Sequence, residues 1–222
     1  MKTLLDRVLP RRRPGIRAKL RKLRRSDRGA VTVELVIIVP LMMLVMLGFS
    51  ELYLYMRAVS TVEHTAFMLT DSIGQMTQII DDSSTSNSNN LGSIWNAATL
   101  LAAPTPLQSA GGVILTSICD APPICILPPP APSMAPGTAG ISWQKQAPWT
   151  ASGMTTRVTN GNVLPSTYPF RTGDSVIVVE IFCSFNPFPL LTGLWSGAPG
   201  TQTIYKRVYA RPRSGKPLPR PQ

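Results

Sequence analysis

The 222-residue chain carries 22 Lys and Arg against 11 Asp and Glu, a formal charge of +11. That length gives room for one membrane segment and one small domain, and excludes two domains with cores of their own. The charge sits at the ends: residues 1–29 hold 12 basic against 2 acidic residues, 205–222 hold 6 basic and no acid, and 30–204 hold 4 basic against 9 acidic. Because the basic N-terminal stretch contains no aromatic residue, a nucleic-acid-binding surface is not expected.

In chain order, residues 1–29 read as a basic cytoplasmic leader. Pro10, Pro14 and Gly15 oppose helix before residue 15, and beyond it Ile16, Leu20 and Leu23 recur at helical spacing among basic residues. That stretch either lies on anionic headgroups or stays solvated and only sets topology. By the positive-inside rule it holds the N-terminus in the cytoplasm and sends Glu51 onward across the membrane.

Residues 30–50 carry one charge, Glu34. At about 1.5 Å per residue they reach roughly 32 Å, the thickness of a bilayer core, and residues 35–49 are apolar on every face. A transmembrane helix is predicted over 30–55. A carboxylate about 6 Å into hydrocarbon is costly unless it is neutralised. Cleavage between Gly29 and Ala30 would create an α-ammonium able to do so, in its own or a neighbouring subunit. The alternative is an uncut anchor in which Glu34 reaches toward the headgroups. The triplet Gly48-Phe49-Ser50 also fits a secretory signal peptide that would release a module beginning at Glu51; the long leader, Glu34 and the apolar pattern running past that site weigh against it. Pro40 predicts a bend or local unwinding.

Beyond the apolar span, Leu52, Met56, Val59, Val62, Ala66, Leu69, Ile73, Met76 and Ile80 step by three or four, while Glu51, Arg57, Thr61 and Asp71 take other faces. The helix therefore continues as an amphipathic segment over 56–82 and ends in the polar run 81–90. His64 has no second ligand nearby in sequence and reads as a surface or boundary residue.

An extracytoplasmic domain is expected over 83–213. It begins with a short helix over 92–103, then strands over 113–119, 141–146, 175–184 and 203–210, with a proline-rich loop over 120–140 and a basic, proline-rich tail over 214–222. The run 175–184 is nearly continuous in apolar β-formers and is assigned a central place, and 203–210 an edge. Three or four antiparallel strands against one long helix make an α+β fold. Outside the cytoplasm a disulfide is allowed. Cys119 and Cys125 are the closest pair in sequence, and the sequence does not settle the connectivity. No catalytic, cofactor-binding or metal-binding constellation is found, and neither enzymatic activity nor a small-molecule substrate is expected.

The segment Arg28-Gly29-Ala30-Val31-Thr32-Val33-Glu34-Leu35, then Pro40, then Gly48-Phe49-Ser50-Glu51-Leu52, resembles the TadE-like family of minor pseudopilins of tight adherence (Flp-type) pili, with the specific portion covering about residues 25–70. The close of the chain, 176–191 and Arg211-Pro212-Arg213, is similar to the family's C-terminal end. The resemblance implies a pseudopilin-like fold and a chain held in the bacterial inner membrane and cut by a prepilin peptidase between Gly29 and Ala30. Its partners would be other pilin-like subunits and the pilus assembly machinery, in a fibre serving cell adhesion and biofilm formation. The 29-residue leader and the proline-rich insertion depart from the family pattern.

Overall fold

The computed structural model describes residues 27–122, 125, 135–190, 197 and 199–222. All but the last three residues of the basic leader and most of the proline-rich loop therefore lie outside the described residues. The elements are α1 (Asp27–Gly74), α2 (Leu91–Leu101), α3 (Leu107–Ala110), β1 (Gly111–Asp120), β2 (Ala139–Gln146), β3 (Ser175–Phe185) and β4 (Gln202–Ala210). The fold is α+β: a long N-terminal apolar helix and a four-stranded antiparallel sheet in the order β2-β1-β3-β4. The chain divides into two compact units, Met1–Phe49 and Ser50–Gln222.

In the second unit, β3 is interior and β4 forms an edge. Every residue of β1 is buried, as are nine of the eleven in β3. Strand alternation sends Ile177, Val179, Ile181 and Cys183 to one face, where they pack with Val113 and Leu115 of β1 against Val62, Ala66, Leu69 and Ile73 of α1 and Ile94, Trp95 and Ala98 of α2. The opposite face carries a smaller cluster, Ile118, Val176 and Val178, covered by Val158 and Val163 from the segment that joins β2 to β3.

The buried stripe of α1 differs from the predicted one at its start. Leu52 and Met56 are exposed, and Glu51, Ala58 and Val62 are buried with Tyr55 packed against the core. One helical residue is about 100° of rotation, so a stripe begun at Leu52 instead of Glu51 puts its first two members on the outer face. From Val62 to Ile73 prediction and structure coincide.

The helix ends at Gly74, earlier than the predicted 82. The amides of Gln75 and Met76 turn back to the carbonyls of Ser72 and Ile73, and the Arg213 amide donates to the Gly74 carbonyl at 2.8 Å. Ion pairs Glu63–Lys206 (3.0 Å) and Asp71–Arg213 (2.6 Å) join α1 to β4 and the segment after it. Both are half-exposed and contribute at most about 1 kcal/mol each. The C-terminal tail is docked instead of trailing free. Leu218 is buried and its carbonyl accepts the Trp143 indole N–H at 2.9 Å, while the Gln222 carbonyl accepts the Asp81 amide at 2.9 Å.

Cys119 and Cys125 form a disulfide with Cα atoms 5.3 Å apart, and Cys183 is a buried free thiol whose pKa burial pushes up. The bridge closes a short loop, so its entropic contribution lies at the low end of the usual range. Replacing Cys125 by Ser is expected to lower stability by about 2 kcal/mol. Urea melts with and without reductant check this, since reductant should act on the parent and leave the variant unmoved.

Candidate functional site

The residues expected to carry processing and charge pairing lie on the N-terminal part of α1. Gly29 and Ala30 fall within its first turn. Glu34 follows one helical turn on, and among the described residues it forms no ion pair. Its side chain is exposed, as are those of its neighbours Val33, Leu35, Ile37 and Ile38. The carboxylate therefore stands in an apolar sleeve, without a counter-charge among the described residues. The helix continues through Pro40, whose missing N–H deprives the Val36 carbonyl of its usual donor.

Residues 31–49 expose apolar side chains around the whole helix; Met46 is 66% and Phe49 69% exposed. In water such a surface would collapse or aggregate, whereas in lipid it is the surface a spanning helix needs. This helix is long and apolar enough to cross a membrane, which suggests a single-pass anchor.

In the second unit the exposed face of α1 still carries large apolar side chains, interspersed with the exposed Arg57, Ser60 and His64. Tyr53, Leu54, Met56, Phe67 and Met68 are all about half exposed or more. Glu51, which sequence pattern placed on an outer face, is instead buried, and one carboxylate oxygen accepts the Leu190 backbone N–H at 2.6 Å. It ties the start of this part of α1 to the loop after β3. A lone acid directly after an apolar run was the available signal, but the sequence names no partner for it. His64 is exposed, and the Cys119–Cys125 bridge lies at the far end of β1, in the second unit.

A family model for TadE, described as TadE-like protein, matches residues 29–68. The match begins at the predicted junction and takes in Glu34, Pro40, Glu51 and the exposed residues up to Met68, so the resemblance read from the sequence is confirmed over this TadE-like segment. No curated protein and no solved structure matches the chain. The TadE-like family is a pilus-associated structural family and not a family of enzymes, and together with the apolar helix it fits a pilus-associated membrane protein.

Proposed function

We propose that this chain is a TadE-like pseudopilin taking part in assembly of a tight adherence (Flp-type) pilus. In this reading the leader 1–29 is cytoplasmic, residues 30–55 cross the bacterial inner membrane, and the domain 83–213 lies outside with the continuation of the helix. A prepilin peptidase cuts between Gly29 and Ala30, and the new Ala30 amine pairs with Glu34 of a neighbouring subunit. The partners are other pilin-like subunits, gathered through α1. The observation that carries the reading is the TadE match that starts at Gly29 and takes in Glu34, the one charge in residues 30–50, which forms no ion pair among the described residues. Membrane helices associate through close packing, and one charged pair per subunit sets which turn meets which.

N-terminal sequencing of the protein purified from membranes is expected to begin at Ala30. A first residue of Glu51 would identify a released module, and an intact leader an uncut anchor; either overturns the proposal. Glu34→Ala is expected to leave the protein folded, anchored and cut but to abolish piliation, counted by electron microscopy. Normal pili in that variant would remove the charge pairing from the mechanism.

A further inference from the structure

The second unit carries a groove that the pilin reading does not use, about 430 Å³ in volume, at the meeting of the loop after α1, α2 and the turn after β2. Its walls are built from backbone. The Leu91 and Gly92 amides donate to the Ile80 and Asp82 carbonyls at 3.0 and 2.9 Å, so the loop lies flat on the start of α2. A Cβ on Gly92 would fall 2.0 Å from the Ser83 carbonyl oxygen, which is why this wall takes glycine. Asp82 accepts Ser84 Oγ (2.6 Å), the Ser84 amide (2.9 Å) and Asn90 Nδ2 (2.9 Å), and the first two hold its carboxyl below the usual range. Asp82 is committed to the loop, and Asp81 is paired with Lys145.

The other wall presents Trp149. A turn over 147–150 has Pro148 in its first central position and the Thr150 amide on the Ala147 carbonyl at 3.0 Å. Both flanks are stapled to β1, Ala147 N–H to the Val113 carbonyl and Ala151 N–H to the Gly111 carbonyl, each at 2.9 Å. The indole is half-buried against the core and otherwise open to the groove. Around it stand the side-chain amides of Asn96, Gln108 and Gln146, all on exposed residues and none hydrogen-bonded among the described residues. A second depression of about 480 Å³ shares Trp149, Thr99 and Gln108 with the first, so the two adjoin at the indole.

We propose that this groove binds a neutral oligosaccharide. A pyranose presents a flat apolar C–H face and a rim of hydroxyls, each both donor and acceptor. A fixed indole matches the face, and primary amides, which also both donate and accept, match the rim. The titratable lining is two aspartates and one lysine, with no arginine, which disfavours phosphate or a polyanion. The paired depressions give length for more than one ring. A proline-rich peptide would also stack on an indole, but it is short of donors and would leave the amides half-used.

The test uses the full-length protein in lipid nanodiscs, which avoids sugar-headed detergents. Cellohexaose, chitohexaose and maltohexaose are titrated by calorimetry up to millimolar concentration, beside the proline-rich peptide PPPAPSMAP. At least one of the sugars is expected to bind, with affinity falling about tenfold in Trp149→Ala and about threefold in each of Asn96→Ala and Gln108→Ala. The amide variants alter exposed side chains and should keep the parent melting temperature, so they carry the test if Trp149→Ala does not fold. Binding by none of the three sugars, binding by the peptide alone, or parental sugar affinity in the amide variants overturns the proposal. None of these outcomes bears on N-terminal processing, so the pilin reading stands or falls separately.

Discussion

Glu180→Ala is expected to lower the stability of the second unit by about 3 kcal/mol or more. Glu180 sits mid-strand in β3 and is fully buried. Its carboxylate accepts the Thr156 hydroxyl, the Arg157 amide at 3.0 Å and the Tyr205 hydroxyl at 2.7 Å. Directly across on β4 stands Arg207, and the Arg157 guanidinium lies 4.0 Å over the Tyr205 ring. Removing the carboxylate strands three donors, the Thr156 and Tyr205 hydroxyls and the Arg157 amide. Glu180→Gln keeps the volume but turns an NH2 toward groups that all donate, so it should fall between alanine and the parent. Pulse proteolysis of the full-length protein in urea reads all three.

The same cluster gives a pH dependence whose sign is fixed. Burial first, then the hydrogen bond to Glu180, raises the Tyr205 hydroxyl above its ordinary value of 10.0. Above that value the unfolded chain releases the proton while the folded one keeps it, so stability falls as pH rises past about 10. Tyr205→Phe should flatten this slope.

Glu180 also marks where reading the sequence stops. Its β-branched neighbours made 175–184 recognisable as a strand with an interior place, and an acid in that run was a signal of a buried polar partner. The partners, however, come from residues 156 and 157, in a stretch with no regular pattern, and from the next strand. Which of them converge depends on the crossing of the β2–β3 segment over the sheet, and no local periodicity encodes that. Glu51 fails for the same reason, since its partner lies at Leu190, and so does the groove, whose walls are drawn from three separate parts of the chain. What was legible rests on local rules: the apolar length of α1, the stripe from Val62 to Ile73, and the four strands to within about two residues at each end. The acid in the apolar helix was legible too, because charge in hydrocarbon is costly wherever the rest of the chain goes.

The second large effect separates folding from assembly on opposite faces of one helix. Leu69 is 2% exposed, on the face of α1 that packs with Val179 and Ile181 of β3 and Leu115 of β1. Leu69→Ala removes three heavy atoms from a site walled by a helix and a hydrogen-bonded sheet, neither of which can collapse far into the space. A loss of about 3 kcal/mol is expected, within the range for large-to-small changes in rigid cores. Phe67, two residues earlier and so about 160° away around the helix, is 55% exposed. Phe67→Ala should change stability by no more than about 0.5 kcal/mol, since it opens no cavity. If the outer face of α1 is where other pilin-type helices pack, Phe67→Ala will fold and anchor normally yet recover fewer partner subunits after cross-linking in membranes. Leu69→Ala will lose partners only in proportion to the protein that has unfolded. Equal recovery of partners by Phe67→Ala and the parent would free this face from any part in assembly and place the contacts elsewhere on the domain.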